Sequence, residues 1–550
     1  MLSNDPQWWR HAVVYQVYIR SFADGNGDGL GDIAGLRSRL DHLAELGIDA
    51  IWINPWYPSP QADAGYDVVT YFDIEPKFGT IDEAEALVRE AHERGIRIIL
   101  DIVPNHSSHL HPWFQEALAS PAGSAARERY VFRDGKGEHG ELPPNDWPGC
   151  FGGSAWSRIT EADGTPGQWY LHLFAPEQPD RNWLHPDTHA DYAAALKFWF
   201  DRGVDGFRID VAHSLFKADG LPDVGDIRYT ADDPRQHPFW DPDDVHDVYR
   251  EWRRIADSYD PPRIFVAEAW VPKPARLARY VRPDELHTTF NFDYLRCAWR
   301  ADALRKVIVH TIREHDLVGA PPTWVLSNHD VMRHVSRYAR FQQHDRPSDQ
   351  LRDFRDPYDL ELGARRARAA LLLTMGLPGV AYVYQGEEMG VPEVEDLPPE
   401  VLQDPVWQRS GFTDTGRDGC RVPVPWAGTS SPFGFSAEPA SAEPWLPQPA
   451  MFARFTAEVQ RNDPASMLSW YRTVLAARRA EPSLRDAPLE WLDGGEAPTS
   501  LTFRRGDLVC VVNFGSEPMA LPAHREVVVA SVPLEGGVLP ADAAVWLRAS

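Results

Sequence analysis

Lysine is nearly missing from this chain of 550 residues: six stand among its 55 basic side chains, and arginine supplies the rest. Basic runs are missing altogether, and 81 acids leave a formal net charge of −26. Nucleic acid is thereby excluded as the main ligand, because phosphate backbones are held by clustered Lys and Arg. Cysteine is scarce as well. Cys150, Cys297, Cys420 and Cys510 lie far apart, with no CxxC pair and no Cys/His cluster, which favours reduced thiols over a disulfide framework. No apolar run approaches the roughly 20 residues of a membrane-spanning helix. The first residues show no basic segment leading into an apolar stretch, as a secretory signal would. The expectation is a cytoplasmic, soluble protein with no membrane partner, a monomer or a small homo-oligomer.

What is present is ordinary in bulk, with 43% hydrophobic and 25% charged residues, so a folded globular chain is expected. The aromatic share is high, with 21 Trp, 18 Tyr and 24 Phe. Large packed volume accounts for such an excess; so does a cleft that stacks on flat apolar faces. Length allows three or four domains, or one large barrel with additions.

Short apolar runs alternate with amphipathic segments. Strands are expected at Ala12–Ile19, Ala50–Asn54, Arg97–Val103, Val204–Asp210, Arg263–Glu268, Leu286–Phe292, Thr323–Ser327 and Gly379–Tyr384. Between them, Ile33, Leu36, Leu40 and Leu43 recur at helical spacing, and Thr80 with Glu83 makes a capping-box signature before a helix that stops near Gly95. Eight strands with intervening helices predict an α/β fold, a (β/α)8 TIM barrel. Two stretches break the rhythm, 107–185 after the third strand and 385–463 after the eighth. The final 481–550 read as hairpins and predict a C-terminal antiparallel β-sandwich. The expected division is a barrel over 1–106 and 186–480, an inserted lobe over 107–185, and the sandwich.

In such a barrel the strand ends should carry the chemistry, and here they carry unusual polar residues. The third strand ends Asp101-Ile102-Val103-Pro104-Asn105-His106, and the fourth reads Gly206-Phe207-Arg208-Ile209-Asp210. The fifth reads Glu268-Ala269-Trp270 at its end, and the seventh Ser327-Asn328-His329-Asp330. Arg208 and Asp210 share one face of a strand, so the guanidinium is expected to hold Asp210 ionised. Glu268, on an apolar strand beside Trp270, is expected to have the raised pKa and the acid role. An ionised carboxylate beside a protonated one suits glycosidic cleavage with retention.

These four segments, in this order, resemble the signature regions of the α-amylase family of glycoside hydrolases, and the resemblance extends over barrel, insertion and C-terminal sandwich. It implies Asp210 as nucleophile, Glu268 as general acid/base and Asp330 as transition-state stabiliser, with Arg208, His106 and His329 around the sugar being cleaved. Asp63-Ala64-Gly65-Tyr66-Asp67 and Arg417-Asp418-Gly419 look like the exo-acting α-glucosidase and oligo-1,6-glucosidase branch. There an Asp and an Arg, here Asp63 and Arg417, close the pocket around the terminal glucose, and Tyr66 stacks on it. Gln178-Pro179-Asp180-Arg181-Asn182 resembles a segment of that branch with Arg181 as a departure, and Phe174 and Gln178 would face the +1 sugar. Val211, after the nucleophile, leans toward α-1,6 links. Asp24-Gly25-Asn26-Gly27-Asp28-Gly29-Leu30-Gly31-Asp32 offers oxygen ligands at alternate positions, although Gly35 stands where an EF-hand has its Glu. The resemblance implies a structural Ca²⁺, or Mg²⁺, on Asp24, Asn26, Asp28, Asp32 and the Leu30 carbonyl.

The reading is a retaining exo-acting α-glucosidase on short oligosaccharides of the maltose, isomaltose or sucrose type. A glucosyltransferase or disaccharide isomerase, such as a trehalose or isomaltulose synthase, would use the same covalent intermediate. A non-catalytic family relative would lack the carboxylates, and all three are here.

Overall fold

The computed structural model describes residues 2, 5–225, 237–340, 357–492 and 499–550. All eight apolar runs contain strands: β1 (Val13–Val17), β2 (Ala50–Ile53), β3 (Arg97–Ile102), β4 (Gly206–Ile209), β5 (Ile264–Ala267), β6 (Thr288–Thr289), β7 (Thr323–Val325) and β8 (Val380–Tyr384). They pair in parallel in the order β7-β8-β1-β2-β3-β4-β5-β6. Because β8 bonds back onto β1, the sheet curls into a nearly closed barrel. Every strand residue is buried, as parallel strands are when helices cover one face and side chains fill the other.

The strand reading of Leu286–Phe292 holds only for its middle pair. Asn291 accepts a hydrogen bond from the Tyr294 amide and caps a helical turn, Phe292–Leu295, which ends β6 early. The helices follow the apolar periodicity. Ile33, Leu36, Leu40 and Leu43 are fully buried, on two short helices, Ile33–Ser38 and Leu40–Leu46, rather than one. Thr80 and Glu83 form the reciprocal capping box of the helix Ile81–Glu93.

Residues 107–185 stand apart as a lobe with its own antiparallel sheet, in which Phe132–Arg133 and Trp156–Thr160 flank Pro166–Leu171. Arg181 ties this lobe to the barrel. It is 1% exposed, its Nη2 donates to Asp191 Oδ2 at 2.7 Å on the helix Pro186–Phe200, and its guanidinium covers the Trp113 ring at 4.4 Å. The departure at 181 is therefore an anchor. The second insertion, 385–463, is mostly short turns, and it packs over the loop 24–32 through Trp445 N to Gly29 O and Asp24 N to Phe435 O.

At the C-terminus, a five-stranded antiparallel sheet runs Glu490–Trp491, Ser500–Arg505, Leu508–Asn513, Ala543–Ala549, His524–Ala530. One face lies on the barrel helix Leu360–Gly376, where Trp546 Nε1 donates to Leu372 O at 3.1 Å. The other face, with Val509, Val511, Val545 and Leu547, closes against Leu539 and Met519 of a two-stranded ribbon.

Candidate active site

The C-terminal ends of β3, β4, β5 and β7 bring together the residues singled out in the sequence. Arg208, on β4, is 2% exposed and contacts three carboxylates. Its Nη1 donates to Asp101 Oδ1 at 2.8 Å and to Asp210 Oδ1 at 2.6 Å, and its Nη2 donates to Glu268 Oε2 at 2.6 Å. Glu268 also accepts from Trp270 Nε1 at 2.9 Å and from the Val211 amide at 3.2 Å. That last bond asks Val211, a β-branched residue, to hold a φ of +44°, a strained conformation that persists where surrounding structure imposes it.

Arg208 is expected to keep Asp210 ionised, and the surroundings of Asp210 pull in both directions. Burial pushes the Asp210 pKa well above the usual carboxylate range, Arg208 pulls it down, and Glu268 and Asp101 push it up again. Asp101 is likewise raised by burial against the pull of Arg208, to about 6. One guanidinium is thus shared by three buried carboxylates. Asp210 and Glu268 are in side-chain hydrogen-bond contact. Two carboxyls spanned by one guanidinium fork belong to the short spacing of retaining chemistry, not the wide spacing that admits a water between them.

Asp330, after β7, has the opposite environment. Burial raises its pKa, but His329, Arg417 and Arg421 outweigh that and hold it well below the usual range. Arg417 Nη1 and Arg421 Nη2 each donate to Asp330 Oδ1 at 3.1 Å. Arg417 Nη2 donates to Asp63 Oδ1 at 2.9 Å, so residues from the loop after β2 and from the second insertion meet and close one end of the site. Gln178 Nε2 donates to Asp63 Oδ2 at 3.2 Å and lies 2.9 Å from His106 Nε2. Burial lowers the His106 pKa to about 4, so its imidazole is neutral at pH 7. Phe174 stands beside His106 with ring centroids 5.2 Å apart, and Phe151 beside Phe174 at 5.6 Å. One face of Tyr66 is covered by the His329 ring, 5.5 Å away and 7° from parallel.

Several residues of this cluster escaped the sequence reading. Asp101 opens a quoted motif but was given no role. Gln16 is a polar residue in the middle of an apolar strand, which was a usable signal. Asn54, at the end of the second apolar run, donates to Tyr66 Oη at 2.6 Å. Asp404 carried no signal among the many acids of its insertion. Here it is 2% exposed and accepts from Arg417 Nε and from the Arg417 amide, each at 2.6 Å.

The loop Asp24–Asp32 spends much of its oxygen on itself. Asp24 accepts the amides of Gly27 (2.6 Å) and Gly29 (2.8 Å), and Asp32 Oδ1 caps the helix Ile33–Ser38 through the Gly35 amide at 2.6 Å. Asn26 and Asp28 accept the amides of Asp28 and Leu30. Close packing explains two of its glycines, since a Cβ at Gly29 would stand 2.1 Å from Glu443 O and one at Gly31 2.1 Å from Ile19 O. Among the described residues, no three His, Cys, Asp or Glu side chains gather as metal ligands. The donor chemistry still suits a hard cation. Asp24 and Asp32 are 2% and 4% exposed and form no ion pair among the described residues, and burial raises the Asp32 pKa despite its amide bonds.

Comparison with known proteins agrees with this geometry. Residues 16–487 match the family model described as alpha amylase, catalytic domain, and residues 495–546 match a domain of unknown function, DUF3459. A probable alpha-glucosidase of Rhizobium meliloti is 36% identical, with 98% of this chain and 94% of the relative covered. An oligo-1,6-glucosidase of Parageobacillus thermoglucosidasius is 33% identical over 86% of this chain and 84% of its own. Among solved structures, an alpha-glucosyl transfer enzyme superposes with a TM-score of 0.83 at 32% identity, covering 98% of this chain and 99% of the other.

Proposed function

Since this chain belongs to the α-amylase family of glycoside hydrolases, we propose that it is a retaining exo-acting α-glucosidase, removing terminal glucose from short α-linked oligosaccharides. Asp210 attacks the anomeric carbon while Glu268 gives a proton to the leaving glycosidic oxygen. A water deprotonated by Glu268 then releases the glucosyl ester on Asp210. Asp330, held anionic by Arg417 and Arg421, faces the positive charge that develops on the sugar ring.

The observation that carries exo action is the 2.9 Å contact between Arg417 and Asp63. A groove blocked at that end accepts a chain terminus and excludes an internal bond. Transfer of the glucosyl unit to another sugar is the second reading, favoured by the likeness to an alpha-glucosyl transfer enzyme. Incubating the purified protein with maltose, isomaltose and sucrose, then separating the products, decides between them. Free glucose is expected as the main product, and a disaccharide isomer or longer oligosaccharide would replace hydrolysis by transfer.

A cytoplasmic address is supported by the scarcity of cysteine, four in 550 residues. A Ca²⁺ or Mg²⁺ on the loop Asp24–Asp32 would neutralise the buried pair Asp24 and Asp32 and stiffen the loop, without entering the reaction. Added Ca²⁺ is expected to raise Tm and EDTA to lower it, with kcat unchanged below the melting range. No response of Tm to either reagent would remove the cation.

A further inference from the structure

His329 is 1% exposed. Its Nδ1 lies 2.7 Å from Gln16 Nε2, on β1. That same amide nitrogen donates to Asn54 Oδ1 at 3.0 Å, so its two hydrogens serve two acceptors. On the far side of the ring, Nε2 lies 2.9 Å from Tyr66 Oη and 3.4 Å from Asp330 Oδ2. The Tyr66 hydroxyl gives its own hydrogen to Asp101 Oδ2 at 3.1 Å. Its oxygen is therefore an acceptor toward His329, as is the Asp330 carboxylate. A bare Nδ1 and a protonated Nε2 satisfy Gln16, Tyr66 and Asp330, while Asn54 Nδ2, 3.3 Å from Nε2, gives its hydrogen to Tyr66 Oη at 2.6 Å. The reverse tautomer sets an N–H against the Gln16 amide hydrogens and a lone pair against two oxygens, leaving buried polar groups unmatched.

We propose that Gln16 is a positioning residue that fixes the Nε2–H tautomer of His329 and, through it, the aim of Asp330. The inference rests on the catalytic reading above, in which Asp330 faces the reacting sugar. A tautomer matters only if the ring is neutral, and the surroundings make it so. Burial drives the His329 pKa well below its ordinary value, Asp330 opposes, and Arg421, Arg208 and Arg417 reinforce burial. Tyr18 stacks on the ring at 5.9 Å, and the Trp52 edge meets it at 5.9 Å, so no solvent is available to supply a missing partner.

Two substitutions in the full chain test this. Gln16→Met keeps length and removes the amide; kcat is expected to fall at least tenfold, with KM changed less than threefold. Gln16→Glu places an acceptor against Nδ1. Its ring must then be doubly protonated to keep the Nε2 hydrogen, so the alkaline limb of kcat/KM is expected to move at least one pH unit lower. Folded variants with the native kcat and the native pH profile would overturn the proposal. Should either variant not fold, the native protein labelled with ¹⁵N-histidine gives a direct answer, because long-range ¹H–¹⁵N spectra distinguish the tautomers. The Nε2–H pattern is expected for the signal that His329→Asn removes, and the Nδ1–H pattern would refute it. This spectrum needs no substrate, so it separates a wrong tautomer from a wrong assignment of activity.

Discussion

The catalytic end of the barrel and the C-terminal sheet are both closed to water, yet they bury opposite things. In the sheet, Leu508–Asn513 is buried along its whole length, and Val511, Val545, Trp546 and Leu547 are 0% exposed. Ion pairs such as Arg504–Glu490 and Arg525–Asp507 lie at its half-exposed edges, where such pairs contribute little. At the barrel end the buried groups are Arg208, Asp101, Asp210, Glu268, His329 and Asp404, each under 8% exposed. Charges taken from water are costly unless fully paired, and here one guanidinium serves three carboxylates. The sheet is therefore arranged for stability, and the barrel end for chemistry at some cost in stability.

The largest effect that would sharpen this contrast is Asp210→Asn. Loss of the nucleophile is expected to lower kcat by at least about 10⁴-fold, while Tm stays level or rises because a like-charge contact disappears. A fall in Tm with activity retained would break the comparison. In the sheet, Trp546→Ala is expected to do the reverse. It should cost about 3–5 kcal/mol of stability and leave kcat within twofold below the melting range, as read by denaturant unfolding beside steady-state kinetics. Third is Asp404→Asn, which removes the charge holding Arg417 flat. kcat/KM is expected to drop roughly 100-fold, about 2.7 kcal/mol, through a weakened hold on the terminal sugar.

A pH-dependent effect concerns Glu387, which follows β8. It is 4% exposed, accepts from Tyr471 Oη at 2.8 Å, and burial raises its pKa to about 8. In the unfolded chain it ionises near pH 4.5, so between that and about 8 the folded state holds a proton that unfolding releases. Stability is thus full below the unfolded pKa and declines as pH rises toward 8, by up to about 1.4 kcal/mol per pH unit. Glu387→Gln is expected to flatten that decline in Tm between pH 5 and 8, and an unchanged slope would assign it to other groups.

Much of this was legible in the residues. Each expected strand contains an observed one, because a short apolar run between turn signals is a local pattern. The failure at Leu286–Phe292 came from Asn291, whose cap competes with the strand. Asp210, Glu268, Asp330, Asp63 and Arg417 were all marked, since strand ends and loop motifs show in sequence. The proton distribution was not. Arg208 and Asp210 two residues apart suggested a simple pair, whereas Asp101 and Glu268 also claim the same guanidinium from neighbouring strands.

The sequence by itself determined the barrel and its two insertions. These follow from composition and from periods of two to four residues. Only the tertiary structure decided that Arg417 meets Asp63 across 354 residues of chain, that Asp404 steadies it, and that Gln16 reaches His329. Contacts of a few ångströms between remote segments are set by packing, and no local pattern encodes them.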